Sequence, residues 1–187
     1  TKFIKNIQKA TKYLKHGDIF QVVPSQRFEV DFDAKGSSLY RVLRETNPSP
    51  FMYYFNLPDF QIVGSSPEIL VRLRKNTITV RPIAGTRPRG INKKQDKKFE
   101  IDLMSDRKEL AEHLMLLDLG RNDVGKVSRK SSVSVTAKFI VEKYSHVMHI
   151  VSNVIGKLKK DISPITALMA GFPAVSYTHL TLPTSYP

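Results

Sequence analysis

The chain has 187 residues and a net charge of +13, which comes from 30 basic and 17 acidic residues. Its hydrophobic fraction of 41% and charged fraction of 25% are typical of a globular protein and exclude a disordered or collagen-like chain. The absence of cysteine excludes disulfides, thiolate metal sites and a cysteine nucleophile. There is no apolar run of about 18 residues and no signal-peptide core, so we expect a cytoplasmic protein without a membrane partner.

The positive charge raises the question of nucleic-acid binding. The basic residues form small clusters at 93–98, 126–130 and 157–160, and no aromatic residues alternate with them as in single-strand binding proteins. We therefore expect a solvated, lysine-rich surface and no nucleic-acid partner. A basic nucleic-acid-binding module is the alternative from a different functional class. A positive field that attracts a small anionic substrate is a third interpretation.

The N-terminal part of the chain is predicted to form two helices with a strand between them. Apolar residues at helical spacing predict a helix over 2–15. The segment 19–32, which is rich in valine and phenylalanine, predicts a strand, and Pro24 within it indicates a bulge or an edge position. Ser37 or Ser38 is predicted to cap a second, short helix.

The remaining segments alternate between predicted strands and polar connections. Strands are predicted at 51–56, 60–65, 69–74, 77–83, 133–142 and 147–155. The polar segment 85–98 is predicted to be a loop by its composition. Runs of strands separated by helices predict an α+β fold with largely antiparallel sheets and flanking helices.

Two further helices are predicted in the second half of the chain. The stronger one spans 106–118, and Asp106 is its predicted N-cap. Its apolar stripe consists of Leu110, Leu114 and Leu117. The last helix covers about 164–170, with Ser163 as N-cap and Pro164 at its first position.

Glu109 and Glu112 are candidate ligands of a metal ion. They are three residues apart, so they lie on one face of the predicted helix. Two carboxylates at this spacing can bind a hard cation such as Mg²⁺. The plainer alternative, which the pattern alone favours, is an ordinary charged helix surface.

Two other segments carry candidate binding groups. His146 and His149 point to opposite faces of a strand, which makes them a poor metal pair. His149 is either a core histidine or an acid/base group at the rim of a pocket. The segment 81–90, with Arg87 and Arg89, suits a carboxylate or a phosphate, and the alternative is an ordinary basic loop.

Six sequence blocks identify a family resemblance. They are, in order, GDIFQVVPSQRF, NPSPFMYYFNL, IVGSSPEILVRL, TVRPIAGTRPRG, KELAEHLMLLDLGRNDVGKVS and VEKYSHVMHIVSNVIG. Together they resemble the chorismate-binding catalytic part of anthranilate synthase component I. The resemblance runs from about residue 2 to Ala174, and it implies an incomplete copy of the fold of chorismate-utilising enzymes.

Two positions separate related activities within that family. Members that use water carry a lysine base where Gln21 stands, and a glutamine cannot deprotonate water. Aminodeoxychorismate synthases carry a nucleophilic lysine where Ala84 stands, and an alanine methyl offers no nucleophile. The resemblance therefore implies the ammonia-dependent conversion of chorismate to anthranilate and pyruvate. Aminodeoxychorismate synthase component I is the alternative within the family.

The resemblance also implies the roles of individual residues. Glu68 corresponds to the general acid for the departing hydroxyl, which requires a raised pKa. His149 corresponds to the histidine of the elimination step. The substrate-binding positions are Gln21, Gly85 and Thr86. Glu112 corresponds to a ligand of the Mg²⁺ cofactor, and Glu109 is expected to support the same site.

A second set of residues resembles the site for tryptophan as a feedback inhibitor. It consists of Asn47, Pro48, Ser49, Pro50, Met52 and Gly64. The alternative for this set is a structural turn beside the sheet. The expected protein partner is component II, a glutamine amidotransferase subunit that delivers ammonia.

The composition changes after Ala174. Residues 175–187 contain no charged residue and do not match the family pattern. We expect residues 1–174 to be a partial chorismate-binding catalytic domain and 175–187 to be a foreign or artefactual tail. On this interpretation the 187-residue chain has little or no activity alone, because part of the active site is missing.

Overall fold

The computed structural model describes residues 1–19 and 21–172. The described residues fall into two compact units, Thr1–Phe32 and Asp33–Phe172. The predicted tail at 175–187 lies outside the described residues. No helix among the described residues is both long and apolar enough to cross a lipid bilayer.

The first unit consists of one helix and an extended segment. Helix α1 spans Lys2–His16 and ends at Gly17, whose φ of 81° is the left-handed conformation of a helix C-cap. The strand predicted over 19–32 is wrong for the described residues 21–32, which have no strand assignment. Strand propensity produces a strand only where a neighbouring strand supplies hydrogen bonds, so the valine and phenylalanine content of this segment is not sufficient by itself.

The second unit begins with a helix and a two-stranded sheet. Helix α2 spans Gly36–Thr46, and its N-cap is Lys35 instead of a serine, without a side-chain capping bond. Strands β1 (Phe51–Asn56) and β2 (Gln61–Ser66) pair antiparallel in continuous register. The predictions for these strands are confirmed to within one residue.

A five-stranded antiparallel sheet forms the centre of the second unit. Its strands are β3 (Ile69–Arg74), β4 (Thr77–Arg81), β5 (Ile83–Pro88), β6 (Ser134–Lys143) and β7 (Val147–Lys157). Strand β7 pairs with β6 on one side and with β4 and then β5 on the other. Pro82 divides the strand that was predicted over 77–83, because proline has no N–H for the ladder, and its carbonyl accepts from the Ser152 N–H at 3.1 Å.

Three helices pack around this sheet. They are α3 (Lys93–Ser105), α4 (Arg107–Val127) and α5 (Pro164–Ala170). The loop predicted over 85–98 is therefore wrong, because β5 and α3 occupy most of it. Asp106 caps α4 and Ser163 caps α5 as predicted, with both side chains accepting backbone N–H bonds. The α+β class with largely antiparallel sheets is confirmed.

The core lies between α4 and β7. It contains Ile78, Leu117, Val124, Val127, Val154, Leu158 and Ala167. The predicted leucine stripe of α4 is only partly correct, since Leu117 is buried but Leu114 is 46% exposed. The buried row of α4 instead begins at His113 and continues through Leu117. This row is the buried face of α4, so the residues on the opposite face point away from the sheet.

Candidate active site

A β-bulge at Gly85 organises the site. The register between β5 and β7 shifts between Ala84 and Thr86, and Gly85 has a φ of +71°. A Cβ added there would lie 3.0 Å from Leu103 Cδ1 and 3.4 Å from Glu109 Cβ. Only glycine fits this conformation without strain, and the bulge brings the backbone of β5 against α3 and α4.

His149 on β7 is hydrogen-bonded to this bulge. Its Nδ1 lies 2.9 Å from the Gly85 carbonyl oxygen and 3.1 Å from Thr86 Oγ1. A carbonyl oxygen can only accept, so Nδ1 is the nitrogen that carries the proton in this bond. In the neutral ring the lone pair is then on Nε2, which makes Nε2 the basic atom of the side chain.

Glu68 lies between β2 and β3, and its backbone N–H donates to Ser66 Oγ at 3.2 Å. The residue is open to solvent on one side, but the surrounding protein desolvates its carboxyl and raises the pKa above the ordinary value. A positive charge on His149 acts in the opposite direction, so the two side chains are close enough to interact electrostatically. A raised pKa is the property that the proposed general acid requires.

Glu109 and Glu112 extend from the first turns of α4, and both are partly buried. The cap at Asp106 accepts the N–H groups of Lys108 at 3.0 Å and Glu109 at 3.2 Å, which fixes the start of the helix. Lys108 Nζ is 3.5 Å from the Glu109 carboxylate. Within the described residues there is no group of three acidic, histidine or cysteine side chains that could hold a metal by itself. Mg²⁺ often uses one or two carboxylates together with substrate oxygens and water, so this oxygen-only pair fits part of such a site.

Arg87 and Arg89 of the segment 81–90 form ion pairs within the protein. Arg87 contacts Asp102 at 2.5 Å and Asp106 at 2.9 Å. Arg89 contacts Asp96 at 2.6 Å. Their guanidinium groups therefore hold α3 and α4 against β5, and the prediction that they form an open anion-binding concavity is wrong.

His113 belongs to a buried network that sequence analysis did not single out. Its Nε2 is 2.7 Å from Ser152 Oγ, and Ser152 Oγ accepts the backbone N–H of Phe139 at 3.0 Å. Burial lowers the pKa of His113 to about 4, so the ring is neutral. The helical spacing from His113 to Leu117 is the sequence signal that places it on the buried row of α4.

The residues predicted to bind tryptophan meet in the β1–β2 region. Ser65 Oγ donates to the Asn47 carbonyl at 2.9 Å, and Met52 pairs with Ser65 across the sheet. The Tyr53 ring covers Gly64 so closely that a side chain at that position would collide with it. Pro48, Ser49 and Pro50 connect α2 to β1, and the role of this set in binding stays a prediction.

Two further predicted residues, His146 and Gln21, lie on other segments of the chain. His146 precedes β7 instead of lying on the strand with His149, and its Nε2 is 3.2 Å from the Thr46 carbonyl oxygen. Gln21 belongs to the first unit, and its role in substrate binding stays a prediction. The second unit thus brings Glu68, His149, Gly85, Thr86 and Glu109 into one neighbourhood.

Comparison with known proteins relates the chain to one enzyme family. A family model described as chorismate binding enzyme matches residues 1–180. The chain is 61% identical over 168 residues to anthranilate synthase component 1 of Cereibacter sphaeroides, covering 90% of this chain and 34% of that protein. For the Bacillus subtilis protein of the same name, identity is 51% over 176 residues, covering 94% of this chain and 34% of that protein.

A solved structure agrees with the sequence matches. Anthranilate synthase component I from Streptococcus pneumoniae superposes with a TM-score of 0.84 at 42% identity, covering 92% of this chain and 38% of that chain. The chain spans about a third of the length of the curated relatives named above. The family model that matches residues 1–180, together with these relatives and the solved structure, shows that the chain belongs to the chorismate-binding enzyme family.

Proposed function

We propose that the chain provides part of the active site of an anthranilate synthase component I. The proposed enzyme is a lyase of tryptophan biosynthesis in the cytoplasm that converts chorismate and ammonia to anthranilate and pyruvate. The observation that carries the proposal is the bond from His149 Nδ1 to the Gly85 carbonyl at 2.9 Å, beside the desolvated Glu68. This arrangement supplies a base and an acid to one bound molecule.

The first proposed step is amination of the substrate ring. Ammonia adds at C2 while the C4 hydroxyl leaves, and the Glu68 carboxyl donates the proton with which the hydroxyl departs as water. The new nitrogen then loses a proton, which restores the acid. The raised pKa of Glu68 keeps the carboxyl protonated closer to neutral pH, as this role requires.

The second proposed step is elimination of pyruvate. The aminated ring loses its C2 proton, the C3–O bond breaks, and the enolpyruvyl methylene gains a proton to become the methyl group of pyruvate. The unprotonated Nε2 of His149 is the proposed group that moves the C2 proton. The Gly85 carbonyl supports this role because it holds the single N–H proton of the neutral ring at Nδ1.

Gly85 and Thr86 are the proposed substrate contacts on β5, and the resemblance adds Gln21 as a proposed substrate-binding residue. Glu112 and Glu109 are the proposed Mg²⁺ ligands on α4. The metal ion, when bound, would neutralise and hold the ring carboxylate of chorismate. Component II is the proposed source of ammonia, and tryptophan is the proposed feedback inhibitor of the whole protein at the segment 47–52.

Ala84 favours the ortho product over the para product of aminodeoxychorismate synthase. It is buried in β5 opposite Ile150, where its methyl group offers no nucleophile to the substrate. This observation supports anthranilate as the product.

The test uses a chimera, because the chain spans about a third of its relatives. The matching 168 residues of the Cereibacter sphaeroides relative are replaced by those of this chain, and consumption of chorismate is followed with ammonium and Mg²⁺. We expect turnover, and a loss of at least about 100-fold in kcat when Glu68→Gln removes the acid. Glu45→Gln, an exposed glutamate of α2, is the matched control and should keep full activity.

Full activity of Glu68→Gln would overturn the assignment of the acid. A folded chimera that leaves chorismate unchanged, next to an active parent enzyme, would overturn the proposed function.

A further inference from the structure

The hairpin between β6 and β7 carries a network that the proposed reaction does not use. Glu142, at the end of β6, is directly opposite His149 in the sheet register. One carboxylate oxygen of Glu142 pairs with Arg81 Nη2, and the other accepts the Tyr144 hydroxyl at 3.0 Å. Both oxygens of Glu142 are thus engaged by groups other than the imidazole.

Tyr144 connects this network to the histidine ring. Its ring meets the His149 ring edge-on, with centroids 5.5 Å apart and an interplanar angle of 61°. The ring is half-buried, and desolvation together with the Glu142 bond raises the pKa of its hydroxyl, so the hydroxyl keeps its proton as a donor.

The backbone of Tyr144 is fixed as firmly as its hydroxyl. Its N–H donates to the Val147 carbonyl at 2.8 Å, which closes the turn. Its carbonyl accepts from Arg89 Nη1 at 2.6 Å, and Arg89 is itself paired with Asp96 on α3. The tyrosine ring therefore has little freedom to move away from His149.

A histidine ring needs such a restraint. The rotation of an imidazole about χ2 is broad and roughly two-fold, so an unrestrained ring can turn over. The turned ring would present the carbon Cδ2 to the Gly85 carbonyl in place of the Nδ1–H donor. The hydrogen bond of 2.9 Å that fixes the tautomer would then be lost.

We propose that Tyr144, held by Glu142 and Arg81, is a positioning residue that keeps the His149 ring in the orientation with Nδ1 on the Gly85 carbonyl. The contribution to catalysis rests on the proposed function, whereas the effect on the ring orientation does not.

The test reads the tautomer of His149 directly in the full 187-residue chain. The five histidines are labelled with ¹⁵N, and long-range ¹H–¹⁵N correlations are recorded well above the ordinary histidine pKa of about 6.5. The His149→Gln variant identifies the signals of His149 by their loss. Nitrogen shifts are the readout, because removing a tyrosine ring changes proton shifts through ring currents alone.

We expect the Nδ1–H tautomer to dominate in the unchanged chain and a mixture of tautomers in Tyr144→Leu. Tyr144→Phe keeps the ring but frees the Glu142 oxygen, so we expect a smaller change. Tyr13→Phe, on the exposed face of α1, is the matched control and should leave the tautomer unchanged. Dispersed backbone amide signals show whether each variant is folded. If Tyr144→Leu fails to fold, Tyr144→Phe still tests the proposal.

Tautomer populations in Tyr144→Leu and Tyr144→Phe that equal those of Tyr13→Phe would overturn the proposal. A second readout is steady-state turnover by the chimera. There Tyr144→Leu should lower kcat on the order of tenfold or more with little change in KM, and the aminated intermediate should accumulate. An unchanged kcat in an active chimera that carries Tyr144→Leu would also overturn the proposal. A chimera inactive without any substitution counts against the proposed function only.

Discussion

At the scale of single residues, Gly85 imposes the strictest requirement on the site. Its positive φ and its approach to Leu103 leave no room for a side chain, and its carbonyl determines which nitrogen of His149 is protonated. The chemistry proposed for His149 thus depends on the backbone of a glycine on a different strand.

Substitution of this glycine gives a direct prediction. Gly85→Ala should lower the free energy of unfolding by about 1–3 kcal/mol, because alanine at φ +71° is strained and its methyl lies 3.0 Å from Leu103. Denaturant unfolding measures the change. Gly125→Ala is the matched control, since a Cβ there meets nothing within 4 Å and a helix interior favours alanine. Equal stability of Gly85→Ala and the unchanged chain would contradict this account of the bulge.

At the scale of elements, the arginines of β5 determine where the helices sit. Arg87 joins the end of α3 to the N-cap of α4 through Asp102 and Asp106. The same N-cap fixes the first turn of α4, which carries Glu109. The position of the proposed metal ligands therefore depends on Arg87, which lies two residues from the bulge.

Removal of the Arg87 charge should weaken the contact of β5 with α3 and α4. We expect Arg87→Gln to cost about 1 kcal/mol in the free energy of unfolding, at the upper end of the range for ion pairs that solvent reaches. The control is Arg121→Gln, because Arg121 and its partner Asp118 are 58% and 60% exposed and should contribute almost nothing. A loss no larger than that of the control would show that Arg87 does not anchor α4.

The contact between Arg89 and Asp96 of α3 predicts that the free energy of unfolding depends on pH. Hydrogen bonds from Arg89 and then from the Gly90 N–H lower the pKa of Asp96 from 3.8 to about 2. Because the unfolded chain binds this proton at higher pH, the stabilisation is complete above about pH 4 and is lost as the pH falls toward 2. Unfolding free energies measured along this range should decline less steeply in Asp96→Asn than in the exposed control Asp161→Asn. Identical slopes of the unfolding free energy against pH in the two variants would rule out a contribution from Asp96.

The sequence predicted the elements whose signals are local. The two strands at 51–56 and 69–74 and the Ser163 cap followed from alternation, turns and capping residues. Helix α3 was missed because its sequence is mostly polar and only Leu103 among its apolar residues is fully buried. Its position depends on Arg89 and Arg87, whose partners cannot be identified from composition.

The candidate site was predictable only in part for the same physical reason. The resemblance named Glu68, Gly85 and His149, and the structure brings them together. The bond between Gly85 and His149 joins residues 64 positions apart, so no local pattern could reveal it. The network of Arg81, Glu142 and Tyr144 likewise depends on sheet register, which sequence analysis did not determine.

At the scale of the whole molecule, part of the net charge of +13 is taken up in ion pairs. Arg81, Arg87 and Arg89 are all paired with carboxylates of the second unit. Such pairs hold elements together, and they engage these three side chains within the protein.

The most direct test of the central claim is the identity of the aromatic amine that the chimera makes from chorismate and ammonium. The account predicts the ortho isomer, anthranilate, released together with one equivalent of pyruvate. Formation of the para isomer, or of an aminated ring that never loses pyruvate, would contradict it.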